Sequence, residues 1–223
     1  MLKLFPALVC LLLLAALPLH ATTRGFEGRF QLRIQDADGT RVISGALKAD
    51  FMRAEIPAGD KGKVVALADF VGGEVALLLP GQPLYASMPV RDAVAKLSDA
   101  RRNQTQAMLR KTTETLVLLG RTCVKYLAKD KDGTTEVWVA SGLASTRAAA
   151  AFQALARNTP ERDVIALGGL PLRIIGKDAA GTATFRMDVL SLEKLSLADS
   201  VFLPPDDYHK LDIGNFSALF GGL

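Results

Sequence analysis

Hydrophobic and polar side chains alternate along the segment from Phe26 to Gln35. One face carries Phe30, Leu32 and Ile34, and the other carries arginine, glutamine and glutamate side chains. A period of two over this length predicts a β-strand that packs on one face and meets solvent on the other. The sequence DADGT follows, and its Asp-Gly pair predicts a hairpin because glycine adopts the positive φ that a tight turn requires.

Short apolar runs separated by turn residues continue as far as Pro89. The predicted strands are RVISGALKADFMRAEIP, with Gly45 or Asp50 as the candidate position of a break, followed by VVALADFV, VALLLP and PLYASMPV, with turns at AGDKGK, GGE and GQ. Two later hairpins are predicted, one turning at DKDG within Leu119–Ala140 and one turning at KDAAGT before TFRMDVLSLEK. Several short strands at regular spacing predict a meandering antiparallel sheet.

Two segments interrupt this pattern and predict helices. Residues 91–111 contain neither glycine nor proline and are rich in helix formers, and residues 145–159 run from a serine N-cap to a proline stop. The first segment carries six basic and two acidic residues. Such charge is typical of a solvated helix face, and it also suits transient contact with a membrane surface through helix 91–111.

The first 21 residues have the layout of a secretory signal peptide. Lys3 precedes a leucine-rich run that ends at Pro18, and Ala21 provides a small residue at the expected cleavage position. A membrane anchor needs about 20 apolar residues, and this run is shorter. We therefore predict cleavage near Ala21 and an exported protein of the bacterial periplasm.

The remaining chain predicts one domain. No linker or low-complexity tract divides it, so we expect a single domain over residues 22–213 and a short tail over 214–223. Cys10 lies inside the apolar run behind bulky residues, which excludes a lipoprotein cleavage site. Cleavage would leave Cys123 and His209 as the only cysteine and histidine.

That small complement of cysteine and histidine excludes much chemistry. An intrachain disulfide and a zinc site built from several such ligands are both excluded. A catalytic triad would depend on His209, in FLPPDDYHKLD, which we interpret as a surface or packing residue. The net charge of +4 is too small to indicate nucleic-acid binding. We predict no enzyme activity, no cofactor and no metal; the remaining alternative is a carboxylate-dependent hydrolase, which would need two carboxylates that converge in an open pocket.

The aspartate pairs are best explained as turn residues. DADGT and DKDGTTE have calcium-loop composition, but both lie between predicted strands rather than helices. Turn preference equally explains Asp36 with Asp38, Asp130 with Asp132, and Asp206 with Asp207.

Cys123 lies on a predicted strand, and we expect its thiol to be buried and inert. No histidine and no Cys-x-x-Cys partner accompany it, so the sequence offers no group that activates a thiolate. Lys125 lies two residues away on the same strand face and could lower the pKa of the thiol, so the alternatives are a reactive thiol or an intermolecular disulfide.

The order of several short motifs resembles a bacterial exported family of unknown function, itself similar to the LolA/LolB-type periplasmic lipoprotein carriers. The motifs are FMRAEIP, LLLPGQPLYASMPV, GRTCVKY, EVW, GLPL and FLPPDDY, which span most of the mature chain. The resemblance implies a mainly β fold of the α+β class, in which an unclosed and strongly bent antiparallel half-barrel carries two or three covering helices.

A function follows from the resemblance as an expectation. It implies an apolar cavity that holds a lipid or another amphipathic ligand, and burial of apolar surface at about 25 cal/mol per Å² would drive such binding. The residues expected to line the cavity are Phe30, Leu32, Tyr85 and Trp138. The alternative is a structural or protein-interaction module of the periplasm, with side chains filling the same space and no ligand.

Overall fold

The computed structural model describes residues 26–48, 50–93, 109–129, 131–141 and 169–211. These residues form one sheet of twelve strands. The strands are β1 (Gly28–Asp36), β2 (Gly39–Lys48), β3 (Phe51–Pro57), β4 (Lys63–Asp69), β5 (Glu74–Leu78), β6 (Leu84–Pro89), β7 (Arg110–Leu118), β8 (Arg121–Lys129), β9 (Gly133–Ser141), β10 (Gly169–Asp178), β11 (Ala183–Lys194) and β12 (His209–Lys210).

The sheet is open and almost entirely antiparallel. Its order is β12-β6-β5-β4-β3-β2-β1-β11-β10-β9-β8-β7, so the first strand lies in the middle beside β11. Strand β12 pairs with β6 in parallel, and every other described pair is antiparallel. The predicted mainly β fold, its meander and its three hairpins are therefore confirmed.

Helix is scarce in the part of the chain that the structure describes. It is limited to residues 90–93 and two 3-10 turns, Gly59–Lys61 and Asp199–Phe202. The predicted end of the first helix is wrong, because Arg110 and Lys111 begin strand β7. Alternation of threonine, glutamate and leucine in RKTTETLVL favours a strand there. The rest of that helix and the whole of helix 145–159 lie outside the described residues.

One face of the sheet, here the apolar face, carries Phe30, Leu32 and Ile34. Direct pairing extends this face in both directions, for instance from Ile34 through Met187 to Ile174. Its largest fully buried side chains are Phe30, Leu32, Ile34, Ile43, Met52, Ile56 and Met187. They belong to one hydrophobic cluster that extends across the described strands, which is what alternation with one buried face predicts.

Phe30 and Gly45 show how closely this face is packed. They are partners on β1 and β2, and the Phe30 ring lies directly over the glycine. A Cβ added at Gly45 would meet the Phe30 ring, with Cε1 at 2.6 Å, and the Arg53 carbonyl oxygen at 2.5 Å. Only glycine fits at this position without a shift of the backbone or the ring.

The opposite face, here the charged face, carries Arg33, Arg173 and Asp188. Part of it is covered by residues 195–203, which cross strands β2 to β4 after β11. Phe202 and Leu197 pack there on Ala46 and Phe51, with the Phe51 and Phe202 ring centroids 5.9 Å apart. We call this region the covered half. The Arg53 side chain donates a hydrogen bond of 3.2 Å to the Val201 carbonyl and so fixes the crossing segment.

The two edges of the sheet are finished differently. At one edge β12 covers β6, with the His209 amide donating to Pro83 O and the Leu211 amide donating to Tyr85 O, both at 2.8 Å. At the other edge β7 pairs only with β8 among the described strands, and their register shifts between Lys111 and Thr115. No helix within the described ranges has the length and apolar character needed to cross a membrane.

Candidate functional site

The structure places three of the four predicted lining residues, Phe30, Leu32 and Trp138, in one hydrophobic cluster. Phe30 and Leu32 lie on the apolar face, with 1% and 0% of their surface exposed. Tyr85 lies on the charged face, because its neighbour Ala86 is in the row of Phe30. Trp138 is 9% exposed and packs in the same cluster as Phe30, although its strand partner Arg173 belongs to the charged face. That these four residues line a ligand cavity stays a prediction.

The apolar face is closed where its large side chains lie. Phe30, Leu32, Ile34 and Met187 each expose no more than 1% of their surface, so they are almost completely shielded from water. Close packing of this kind is typical of a protein core. At these positions the face has the geometry of a core rather than of an open cleft.

A group of charged side chains, here the arginine group, occupies the charged face beyond the covered half. Its members are Arg33 on β1, Arg173 on β10, and Arg186 with Asp188 on β11. Asp188 is the register partner of both Arg33 and Arg173, and Arg186 projects from the same strand face two residues earlier. Antiparallel pairing of three adjacent strands thus assembles residues that are distant in sequence.

Asp188 is the centre of the arginine group. Its Oδ1 accepts a hydrogen bond of 2.5 Å from Arg173 Nε, and its Oδ2 accepts one of 2.7 Å from Arg186 Nε. Arg33 Nη2 lies farther away, 3.4 Å from Oδ2. The carboxylate side chain is 6% exposed, whereas those of Arg33, Arg186 and Arg173 are 40%, 38% and 24% exposed. The negative charge is therefore inside and the positive charges face outward.

Opposing effects set the pKa of Asp188. Burial alone would raise the pKa, but hydrogen bonds from Arg186 and Arg173, together with their charges, lower it below the usual aspartate value. The same hydrogen bond raises the pKa of Arg186. Asp188 is thus a carboxylate at neutral pH, and it cannot serve as a general acid there.

A second charged group lies beside the arginine group on the neighbouring strands. Glu136 forms ion pairs with two lysines: its carboxylate oxygens lie 2.5 Å from Lys177 Nζ and 3.5 Å from Lys125 Nζ. Lys125 Nζ also lies 3.2 Å from a carboxylate oxygen of Glu114. Burial by itself would raise the pKa of Glu136, but the hydrogen bonds and charges of Lys177 and Lys125 lower it below the usual glutamate value. The Lys125 ammonium lies 5.7 Å from the Trp138 ring centroid, within cation–π range.

Cys123 is buried, as predicted. It is fully shielded and free, and its Sγ contacts the Arg121 carbonyl oxygen at 3.6 Å. Burial raises its pKa, and a hydrogen bond from the Leu118 backbone and the charge of Arg173 offset this only in part. Lys125 is ion-paired with Glu114 and Glu136, and the charge that acts on the thiol is that of Arg173. The inertness of the thiol stays a prediction.

Metal and carboxylate chemistry finds little support in the described ranges, where no three His, Cys, Asp or Glu residues converge as metal ligands. The turn interpretation of Asp36 is confirmed, because its Oδ1 accepts the Asp38 amide at 3.0 Å. Asp206 and Asp207 are exposed turn residues. Asp130 lies outside the described residues.

Sequence reasoning missed the arginine group. The strand pattern assigned Arg33 to the polar face of β1, but it gave no sign that β10 and β11 would lie next to it. The available signal was in FRMDVL, where Arg186 and Asp188 alternate with the apolar residues Met187 and Val189. An Arg-x-Asp pair on one strand face predicts an ion pair but not its further partners.

Comparison with known proteins supports the fold. The chain is similar to an uncharacterized conserved protein from Thermus thermophilus, with 12% identity, a TM-score of 0.51 and coverage of 83% of this chain and 90% of that one. At such identity the likeness concerns the fold alone.

Two further structures are more weakly similar. MucB, in the MucA/MucB complex of Pseudomonas aeruginosa, has 11% identity and a TM-score of 0.48, over 95% of this chain and 64% of that chain. A putative outer membrane lipoprotein-sorting protein domain from Vibrio parahaemolyticus has 9% identity and a TM-score of 0.32, over 78% and 87%. Both TM-scores are below 0.5, so neither likeness carries a functional argument.

No curated protein matches the chain significantly. A family model matches residues 26–208, which is most of the sequence. The predicted membership in a family of unknown function is thereby confirmed, and kinship with the lipoprotein carriers stays a prediction. The chain belongs to the family described as "Domain of unknown function (DUF4412)".

Proposed function

We propose that this chain is an exported, non-enzymatic binding module in which the apolar face is a closed core and the charged face makes the contact. Export follows from the signal-peptide pattern of the first 21 residues. The non-enzymatic part of the proposal is supported by the described candidates, which offer neither an activated nucleophile nor a neutral acid. Cys123 is buried with a raised pKa, and Asp188 is ion-paired.

The closure of the apolar face carries this proposal. A carrier for acyl chains needs apolar surface that a ligand can reach, and the described centre of this face exposes none. The Phe30 ring fills the space above Gly45, so even the smallest position in its row is occupied. By contrast, three arginines reach solvent on the charged face.

A lipid carrier is the second candidate, and one observation favours it. The row of Phe30 continues on β2 to β4 as Gly45, Ala54 and Ala66, so side-chain volume is small over neighbouring strands. If the chain rearranged to admit a ligand, this row would offer the largest space. The two candidates differ in whether that space is filled in solution.

Native mass spectrometry with lipid extraction separates the candidates. The mature protein should be purified from its own periplasm without detergent and then mixed with phospholipid and a hydrophobic fluorescent probe. We expect a clean apo mass and no uptake. A retained or acquired acyl-chain species would replace the proposed function with the carrier.

The substitution Ala66→Leu tests the same difference through stability. In a closed core the added atoms have no space, so we expect a loss of about 1–3 kcal/mol in the free energy of unfolding. Ala183→Leu is the matched control, because Ala183 is exposed on β11, and it should change stability by less than about 0.5 kcal/mol. Ala66→Leu protein of unchanged stability would indicate a hollow site.

A further inference from the structure

We propose that Arg33, Arg173 and Arg186 form a binding site for a phosphate group that carries two negative charges. This inference rests on the proposed function, since it names the ligand class of the charged face. The three guanidinium groups converge on one carboxylate and expose between 24% and 40% of their side chains. They lie outside the half of the face that residues 195–203 cover.

The charges of the arginine group do not balance. Three guanidinium groups share one described carboxylate, which leaves two positive charges uncompensated. In the adjacent group two lysines, Lys125 and Lys177, face two glutamates, Glu114 and Glu136, so that group is neutral. The excess is therefore local, and a phosphate monoester with a charge of about −1.5 to −2 at pH 7 would match it.

The hydrogen-bond donors of the arginine group are also in excess. A guanidinium group carries N–H donors on every nitrogen. Among the described residues, four hydrogen bonds reach Asp188, and two of them are as long as 3.4 Å. The donors left over lie on outward-facing side chains, and forked donors of this kind suit the oxygens of a phosphate group.

Arg33 distinguishes a ligand site from a purely structural ion pair. Asp188 already has short bonds to Arg173 and Arg186, so its charge is compensated without Arg33. Arg33 adds a contact of 3.4 Å, and its Nε is buried without a hydrogen-bond partner. Stability alone gives no reason for a third guanidinium here, whereas a dianion would use it.

The first test is binding of inorganic phosphate to the full mature protein by calorimetry, at pH 7.5 and low ionic strength where screening is weakest. We expect saturable binding of one phosphate, and binding of dimethyl phosphate at least fivefold weaker because it carries a single charge. Equal affinity for the two anions would overturn the assignment to a dianion.

Matched variants locate the site. Arg33→Gln should weaken phosphate binding at least tenfold, and Arg33→Lys should weaken it less because the charge remains. Arg29→Gln is the control, since Arg29 is exposed on the same strand and its partner on β11 is Glu193 rather than Asp188. Thermal unfolding should show all three variants folded. Absent phosphate binding, or equal binding by the Arg33→Gln and Arg29→Gln proteins, would overturn the proposal.

Vesicles then identify the source of the phosphate. Phosphatidylcholine vesicles containing phosphatidic acid present a phosphate monoester, and those containing phosphatidylglycerol present a singly charged diester. Preference for phosphatidic acid that Arg33→Gln abolishes would assign a lipid headgroup. Binding of free phosphate without vesicle binding would assign a soluble phosphate compound. Vesicle binding that is indifferent to Arg33→Gln would count against the site.

Discussion

The two halves of the charged face are covered by different kinds of side chain. Strands β2 to β4 are covered by Leu197 and Phe202, apolar side chains that the chain brings back after β11. On strands β1, β10 and β11, which we call the arginine half, arginine side chains surround a buried carboxylate instead. Apolar cover gives stability through area removed from water, whereas ionic cover is weaker and leaves the surface charged.

That difference separates the roles of the halves. The covered half offers little surface for binding a partner, because its apolar side chains are already in contact with Leu197 and Phe202. The arginine half keeps two charges that its own residues do not neutralise. Substitutions on the covered half should therefore affect stability, and substitutions of the outward arginines should affect binding more than stability.

The largest effect is expected on the covered half, from Phe202→Ala. Phe202 is 4% exposed and packs against Phe51, so its truncation leaves a cavity under the crossing segment. We expect a loss of about 3–4 kcal/mol in the free energy of unfolding, measured by denaturant titration. The adjacent Leu203→Ala is the control, because Leu203 is 54% exposed and should cost less than about 0.5 kcal/mol. Equal effects would contradict the packing described here.

A smaller effect is expected at the centre of the arginine half, from Asp188→Asn. The substitution keeps the shape but leaves three guanidinium groups facing one another without a carboxylate. We expect a loss of about 2 kcal/mol, below the value for a fully buried pair because the arginines are partly exposed. Asp207→Asn, at an exposed turn residue, should be neutral in the same denaturant titration. A neutral Asp188→Asn would show that the arginines need no counter-charge.

The smallest effect concerns pH. The folded pKa values of Asp188 and Glu136 are lowered, so their contribution is complete above the unfolded values of about 3.9 and 4.3. It is lost as the pH falls through the lowered folded values, because protonation then removes the partners of the arginines and lysines. Thermal unfolding should show stability constant above about pH 5.5 and decreasing below about pH 5. Asp188→Asn should make that decrease shallower; an unchanged slope would contradict the assignment.

Local patterns predicted the strands well, because alternation and Asp-Gly turns act over a few residues. They placed Phe30 and Leu32 on a buried face and Cys123 in the interior. The strand Arg110–Leu118 was missed because its first residues suit a helix as well as a strand.

The arrangement of the site could not be predicted in the same way. Tyr85 is as hydrophobic as the other predicted lining residues, but strand pairing assigns it to the face opposite Phe30, because its neighbour Ala86 continues the row of Phe30. The group around Asp188 depends on β1 lying between β2 and β11, a contact between residues 155 positions apart. A pattern of a few consecutive residues carries no information about a contact between residues so far apart in the sequence.

The parallel pairing of His209 and Lys210 with β6 has a consequence for the behaviour of this protein in concentrated solution. An exposed strand edge offers unpaired amides and carbonyls to any other extended chain, including a second copy of itself. Two residues of β12 occupy that edge at Leu84 and Tyr85. The short strand thus hinders the addition of another chain to the sheet at this edge. Its loss would favour aggregation even while the hydrophobic core remains folded.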